Sequence, residues 1–240
     1  MSLGTKTKSI DTLILCGGKG ERLRSIVSDR PKPMATFGNE PFLSMLMKYA
    51  SGFGFRRFIL STGFMKEKIQ DYYNSKTFPW QILYSEESEP LGTGGAVKKA
   101  LELITGDFFL VMNGDSFCRA DLSAFVDFHL AKKASASVVL VENADKGNCA
   151  SLILDSSGRI VDFKEKTSSA NSAWLNAGIY MFEKKAFSLI DTSEKFSLEY
   201  DFFPRLITKA DCFGFKQDAE LVDIGTVPGY KKAQNLFSND

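Results

Sequence analysis

The stretch Leu13-Ile14-Leu15-Cys16-Gly17-Gly18-Lys19-Gly20-Glu21-Arg22-Leu23-Arg24, followed by Pro31-Lys32-Pro33-Met34, decides how the rest of the chain is read. Its apolar start is a strand, and its glycines let backbone amides approach an anion with no Cβ in the way. A helix opening just after them would add its positive dipole end, and Arg22 and Lys32 can supply formal charge. Strand, glycine loop and basic residues in that order indicate polyphosphate binding. Two better-known loops do not fit. Gly20 is followed by Glu21-Arg22 where a Walker loop needs Lys-Ser/Thr, and Leu23 stands where the dinucleotide fingerprint needs a third glycine.

The composition narrows the remaining classes. A chain of 240 residues with 44% hydrophobic content can fill one large α/β core. Lys plus Arg number 30 and Asp plus Glu 29, a net charge of +1 that points to neither nucleic acid nor an anionic membrane. Apolar runs near the N-terminus are strand-length, far short of the roughly 20 residues of a membrane span, and no signal-peptide pattern is present, so a cytoplasmic protein is expected. Cys16, Cys118, Cys149 and Cys212 are scattered without a C-x-x-C pair, which argues for reduced thiols, with Cys16 as a small packing residue. His129 is the only histidine and is expected to be structural, inside a helix over 121–133.

Outward from the loop, the periodicity predicts alternating helices and strands. Helices are expected over 41–51, 65–73 and 94–104, strands over 58–61, 80–84 and 108–112, an alternation that implies a parallel sheet. Beyond 133 the segments 137–141, 150–154, 159–163 and 177–182 are β-like with few helices between them. A helix over 198–208, a short strand over 220–224 and a closing helix over 228–237 follow. The expectation is a single domain over 1–240, with one half over 10–133 and a closing half over 134–240.

Ligands of open parallel sheets bind beyond the carboxyl ends of the strands, which singles out four places. Asn113-Gly114-Asp115 follows the apolar run 108–112; Asp115 is either a magnesium ligand or an Asx-turn or helix-cap residue. Asp223 lies inside apolar Leu221-Val222-Asp223-Ile224-Gly225, where a charge is costly unless it is paired in a salt bridge or turn or bound to metal. Magnesium takes one or two carboxylates plus substrate phosphates, which Asp115 with Asp223 would satisfy. Gly92-Thr93-Gly94-Gly95 either packs flat against a base or ribose or is a flexible helix entrance capped by Thr93. Lys164-Glu165-Lys166 is a solvated surface run unless Glu165 accepts from sugar hydroxyls and Lys166 holds a phosphate, with Asn176 and Gly178 nearby.

Together these residues resemble the sugar-phosphate nucleotidylyltransferases: G-G-x-G-[ST]-R-L, P-K-P-M, G-D after a strand, E-K, N-x-G and a late D-x-G occur here in order, from Leu13 to about Tyr230. Within that family, Glu89-Pro90-Leu91-Gly92-Thr93-Gly94-Gly95-Ala96, Asn113-Gly114-Asp115-Ser116-Phe117 and Asp223-Ile224-Gly225 look most like D-glycero-D-manno-heptose 1-phosphate guanylyltransferases. Hexose or amino-sugar 1-phosphate uridylyl- and thymidylyltransferases and mannose 1-phosphate guanylyltransferases are the alternatives. One departure is Glu21, where the family usually has Thr or Ser. No hexapeptide β-helix of bifunctional relatives is seen, so no acyltransferase activity is expected.

The resemblance implies an α/β, Rossmann-like mixed, mainly parallel sheet flanked by helices, with a small α+β sugar-binding extension. It further implies Mg²⁺ as cofactor, a nucleoside triphosphate and a sugar 1-phosphate as partners, and leaves a homodimer open. By family position, Arg22 would serve the triphosphate and leaving pyrophosphate, Lys32 the α-phosphate, Lys166 the sugar phosphate, and Asp115 with Asp223 the metal. Leu15, Cys16, Gly17, Gly18, Gly20, Gly92, Thr93 and Gly94 would hold the nucleotide; Asn113, Gly114, Glu165, Asn176 and Gly178 would face the sugar. The rivals are a catalytically silent nucleotide-binding subunit, disfavoured because the loop arginine and both acids are present, and a glycosyltransferase, disfavoured by the Gly17–Arg24 signature.

Overall fold

The computed structural model describes residues 7–23, 26–142, 151–164 and 174–237. In chain order the strands of the first half are β1 (Asp11–Leu15), the small hairpin β2 (Thr36–Phe37) and β3 (Glu40–Pro41), β4 (Arg57–Thr62), β5 (Gln81–Glu86), β6 (Phe108–Asn113) and β7 (Ser116–Cys118). Helices α1 (Phe42–Gly52), α2 (Lys66–Asn74), α3 (Gly92–Ala100) and α4 (Leu122–Lys132) connect them. The second half adds β8 (Ala136–Glu142), β9 (Ser151–Leu154), β10 (Ile160–Lys164), β11 (Trp174–Glu183), the helix α5 (Phe203–Leu206), β12 (Cys212–Gln217), β13 (Leu221–Asp223) and α6 (Val227–Phe237).

Strands β6, β1, β4 and β5 pair in parallel in that spatial order. Strand β11 then adds antiparallel to β6 and to β8, and β12 pairs parallel with β8. The two halves of the chain therefore share one mixed sheet. Its strands are buried on both faces, so they read as continuous apolar runs rather than alternating ones. Side chains still alternate sides: Ile14, Phe58, Leu60, Leu110 and Met112 face a cluster with Phe42, Leu46 and Met47 of α1, while Leu13, Ile59, Phe109 and Val111 face Val97 and Ala100 of α3.

Several boundaries differ from the sequence expectation, each for a local reason. The glycine loop is followed by a single 3₁₀ turn, Glu21–Leu23, rather than by a helix, so a long helix dipole does not back it. The chain soon has to pass Pro31 and Pro33, neither of which offers an amide to a helix ladder. Helix α3 begins two residues earlier than the periodicity suggests, because the glycine turn is itself the first turn. The helix expected over 198–208 is broken into a π turn, Leu198–Phe202, and α5. In an unbroken α-helix the ring of Pro204 would clash with the carbonyl of Tyr200; widening the preceding turn lets the proline start a new helix. Asp121 caps α4 by accepting from the Ala124 amide at 2.9 Å.

His129 is fully buried, with Nδ1 2.9 Å from Ser137 Oγ and its ring edge-on to Phe108. Burial pushes its pKa down to about 4, so it packs as a neutral ring. Cys16, Cys118 and Cys212 are buried free thiols; Cys149 lies outside the described residues. Among the described residues, no helix is long and apolar enough to cross a membrane.

Candidate active site

Beyond the carboxyl ends of the parallel strands lies a cleft of about 510 Å³. Leu15, Cys16, Gly17, Gly18, Lys19 and Gly20 form one wall, Gly92 and Thr93 another, and Lys32, Glu87, Asn113, Asp115 and Lys195 also line it. The first loop is pinned by β4: the Cys16 amide donates to the Ser61 carbonyl at 2.9 Å, and the Cys16 thiol donates to the same oxygen at 3.0 Å. Desolvation, reinforced by the Glu87 carboxylate, holds that thiol well above its ordinary pKa and keeps it protonated.

The glycines divide by what surrounds them. A Cβ on Gly18 would meet nothing within 4 Å, so a side chain there would project into open space beside the loop. Gly17 is different: a Cβ would lie 2.6 Å from Glu87 Oε1, so this position is glycine because the protein itself comes close. Gly20 sits at φ +60°, in the left-handed region that favours glycine.

The two acids reach each other through strand pairing. Gly114 turns the chain after β6, with its amide on the Leu15 carbonyl at 2.9 Å, and leaves Asp115 at the rim. Strand β13 pairs antiparallel with β7 so that Asp223 lies opposite Ser116, and the Ile224 amide donates to the Asp115 carbonyl at 2.9 Å. Lys32 Nζ donates to Asp115 Oδ2 at 2.8 Å, the lysine 10% and the aspartate 37% exposed. Asp223 Oδ1 accepts from the Gly225 amide at 2.6 Å. A Cβ on Gly225 would stand 2.7 Å from Asp223 Oδ1, 2.8 Å from Lys32 Nζ and 3.4 Å from Arg22 Nη2, so three charged groups of separate origin meet around one glycine.

Burial, then the negative charge of Asp115, raise the Asp223 pKa above the ordinary carboxylate value, while the Gly225 amide, Lys32 and Arg22 pull it down. Two carboxylates that repel each other, with oxygen-only donors and little solvent around one of them, form a site that gains from a hard divalent cation. Among the described residues no cluster of three or more His, Cys, Asp or Glu could hold a metal, so this pair would leave the other coordination positions to water and phosphate oxygens.

Other expected positions have different tasks. The Gly94 amide donates to the Phe196 carbonyl at 2.9 Å, and a Cβ there would lie 2.2 Å from the Phe196 ring. Gly94 is thus a packing glycine whose amide is already used, so its main-chain N–H is not free for a ligand. At Gly114 too the amide is spent, on Leu15, and a Cβ would be 2.5 Å from the Leu15 carbonyl oxygen. Thr93 does not cap α3; its hydroxyl donates to Glu199 Oε2 at 2.9 Å and accepts from the Leu198 amide at 2.8 Å.

Gly178, at φ +72°, forms a bulge where the β11–β8 register slips between Asn176 and Tyr180. Its amide is also spent, on Asn176 Oδ1 at 2.9 Å, and a Cβ would lie 2.7 Å from Asn113 Nδ2. Gly178 therefore shapes the wall behind Asn113 rather than offering an amide to a sugar. Asn113 Oδ1 and Ser116 Oγ are buried there without a hydrogen-bond partner. Glu165 and Lys166 lie outside the described residues, as does the side chain of Glu21.

Two further cleft residues, Glu87 and Lys195, lie outside the motifs that the sequence singles out. Glu87 follows the last residue of β5, so the rule that pointed to Asp115 also points to it. Its carboxylate is oriented by Ser61 Oγ at 2.8 Å and the Leu91 amide at 3.1 Å. No local pattern marks Lys195, which reaches the cleft only because the segment 194–197 closes over the glycine turn.

A glycine loop after the first strand, two cations and two facing acids at the carboxyl edge of a parallel sheet define a site for phosphoryl-group chemistry on a nucleotide. Residues 11–239 match the Nucleotidyl transferase family, and the chain belongs to that family. It is 38% identical over 225 residues to a D-glycero-alpha-D-manno-heptose 1-phosphate guanylyltransferase of Aneurinibacillus thermoaerophilus, covering 94% of this chain and 97% of that one. It is 33% identical over 224 residues to the Campylobacter jejuni protein of the same name, covering 92% and 97%. Among solved structures, HddC from Yersinia pseudotuberculosis complexed with GMP-PN superposes with a TM-score of 0.85 at 33% identity, over 95% of this chain and 99% of that one.

Proposed function

We propose that this enzyme condenses a nucleoside triphosphate, GTP, with D-glycero-D-manno-heptose 1-phosphate, giving the GDP-sugar and pyrophosphate. The observation that carries the reading is the meeting of Arg22, Lys32 and Asp223 around Gly225, with Asp115 on the same lysine, beside the glycine loop. The similarity to heptose 1-phosphate guanylyltransferases over nearly their whole length supports the substrate pair. Glu87 supports the base. Its carboxylate lines the cleft as an acceptor only, able to receive the N1–H and N2 amino group of guanine, whereas uracil or thymine would offer it one N–H flanked by two carbonyl oxygens.

In the reaction, an anionic oxygen of the sugar phosphate attacks the α-phosphorus in line, and the bond to the bridging oxygen of pyrophosphate breaks. The attacking group is already ionised, so no residue has to remove a proton and no enzyme nucleophile is required. Lys32 neutralises charge at the α-phosphate, and Arg22 stabilises the charge that grows on the departing pyrophosphate. The cleft holds the two reactants in line, and that orientation carries much of the acceleration. Mg²⁺ held by Asp115 and Asp223 would supply charge neutralisation and orientation of phosphate oxygens. Lys166, Glu165 and Asn176 complete the sugar side by family position, and Lys195 adds a cleft-lining cation within reach of a phosphate.

Pyrophosphate release, measured for four nucleoside triphosphates against heptose and hexose 1-phosphates, tests this. The expected best pair is GTP with the heptose ester. Faster turnover with UTP or dTTP removes the guanine assignment, a better hexose ester removes the sugar assignment, and no release from any pair removes the reaction.

A further inference from the structure

The hydrogen-bond network centred on Glu199 joins the two substrate walls of the cleft, and the functional reading above leaves it unused. Glu199 rides on the π turn Leu198–Phe202, a geometry rare enough in proteins to suggest a local task. Its Oε1 accepts from the Tyr180 hydroxyl of β11 at 2.9 Å. Its Oε2 accepts from Thr93 Oγ1 at the start of α3 at 2.9 Å and from Ser197 Oγ at 2.8 Å. One carboxylate thus collects three hydroxyl donors, one from the cap of its own turn and two from elements elsewhere in the chain, α3 and β11.

Each of those partners is fixed in turn. Tyr180 is fully buried; its hydroxyl accepts from Asn176 Nδ2 at 2.8 Å while donating to Glu199. That hydroxyl has no further proton to give, so its orientation is set entirely by the protein. On the other side, Thr93 lines the cleft next to Gly92, and its oxygen also accepts from the Leu198 amide at 2.8 Å. Asn113 lines the cleft as well, at the carboxyl end of β6. A path therefore runs from the glycine turn through Glu199 and Tyr180 to Asn176, whose Oδ1 holds the Gly178 amide where that glycine packs against Asn113 of the cleft wall.

We propose that Glu199 is a positioning residue that couples the two binding walls, so that filling the sugar side through Asn113 and Asn176 sets the glycine turn for the nucleotide. It acts through Thr93 and Tyr180 and is not required to touch either substrate. The inference rests on the cleft being the site of both substrates. By linkage, a sugar ester that orders one wall tightens the nucleotide, and the nucleotide tightens the sugar ester by the same factor.

The test is calorimetric titration of a non-cleavable α,β-methylene GTP analogue, with and without D-glycero-D-manno-heptose 1-phosphate. In the unaltered protein the sugar ester should tighten the analogue about fivefold or more. In Tyr180→Phe, which removes one oxygen and leaves the Thr93–Glu199 clasp, that factor should fall to about one while affinity for the analogue alone changes by less than about twofold. Thr93→Ser keeps a hydroxyl and should keep the coupling, and Thr93→Val should lose it; this pair decides the matter if Tyr180→Phe folds poorly. A merely structural role would lower Tm and leave the factor intact. Equal affinities with and without the ester in the unaltered protein, or an undiminished factor in Tyr180→Phe and Thr93→Val, overturns the inference while the transfer reaction stands. Failure of the analogue to bind at all removes the functional reading and this inference with it.

Discussion

The two ends of strand β1 lie near carboxylates in opposite circumstances. At the amino end, Asp11 is nearly inaccessible and is paired within the protein: Oδ1 lies 2.7 Å from Arg57 Nη1 as an ion pair, and Oδ2 accepts from the Thr105 amide at 2.7 Å and Thr105 Oγ1 at 3.0 Å. At the carboxyl end, Asp115 and Asp223 repel each other and have one close ammonium between them, that of Lys32 on Asp115. A buried charge costs free energy unless it is paired and hydrogen-bonded. The amino-end acid finds its partners inside the protein, whereas the pair at the other end, in the function proposed, is completed by what it binds.

The sharpest way to break this comparison is to exchange the expected consequences. Asp11→Ala leaves the Arg57 guanidinium without its buried partner and should lower unfolding free energy by about 3 to 5 kcal/mol, with turnover per folded molecule unchanged. Denaturant titration alongside active-site-normalised kinetics reads both, and a stable variant would mean that the amino-end pair is not structural. Asp115→Asn should do the reverse, costing about 10²- to 10³-fold in kcat, roughly 3 to 4 kcal/mol of transition-state stabilisation, with little change in Tm. A loss under about threefold would contradict its place in the reaction.

His129 gives the comparison a pH arm away from the cleft. Its folded pKa of about 4 is below the ordinary 6.5, so protonation favours unfolding. The stability it contributes is present above pH 6.5 and is lost as pH falls towards 4, by at most about 3 kcal/mol. The pH profile of unfolding free energy for His129→Gln, subtracted from that of the unaltered protein, should isolate this window; parallel profiles would exclude it. The smallest effect is expected at Gly18. Because a Cβ at Gly18 meets nothing within 4 Å, Gly18→Val should leave Tm intact and raise the KM for nucleotide by about tenfold, through crowding of the phosphate against the loop amides. An unchanged KM would take the loop away from the phosphate.

Much of this contrast is legible in the sequence, and the limits are physical. The apolar runs and the breaks after them expose the parallel strands and put Asp115, Asp223 and the first glycine loop at one edge, because strand burial and chain reversal are local in sequence. Gly17, Gly94 and Gly114 read like ligand-contacting glycines, and each is in addition closely approached by another part of the protein: Glu87, Phe196 and Leu15. Such crowding depends on tertiary contacts that no local pattern records. Glu87 was within reach of the strand-end rule; Lys195 and Glu199 were not, since they arrive on a segment whose π turn follows from a single proline in an otherwise helical run.

Crystals soaked with Mn²⁺ and α,β-methylene GTP, with data collected at a wavelength giving anomalous signal from manganese, test the central contrast most directly. The account predicts a manganese peak within coordination distance of both Asp115 and Asp223, with the nucleotide phosphates beside Leu15–Gly20. A peak elsewhere, or phosphates bound away from that loop, would contradict it.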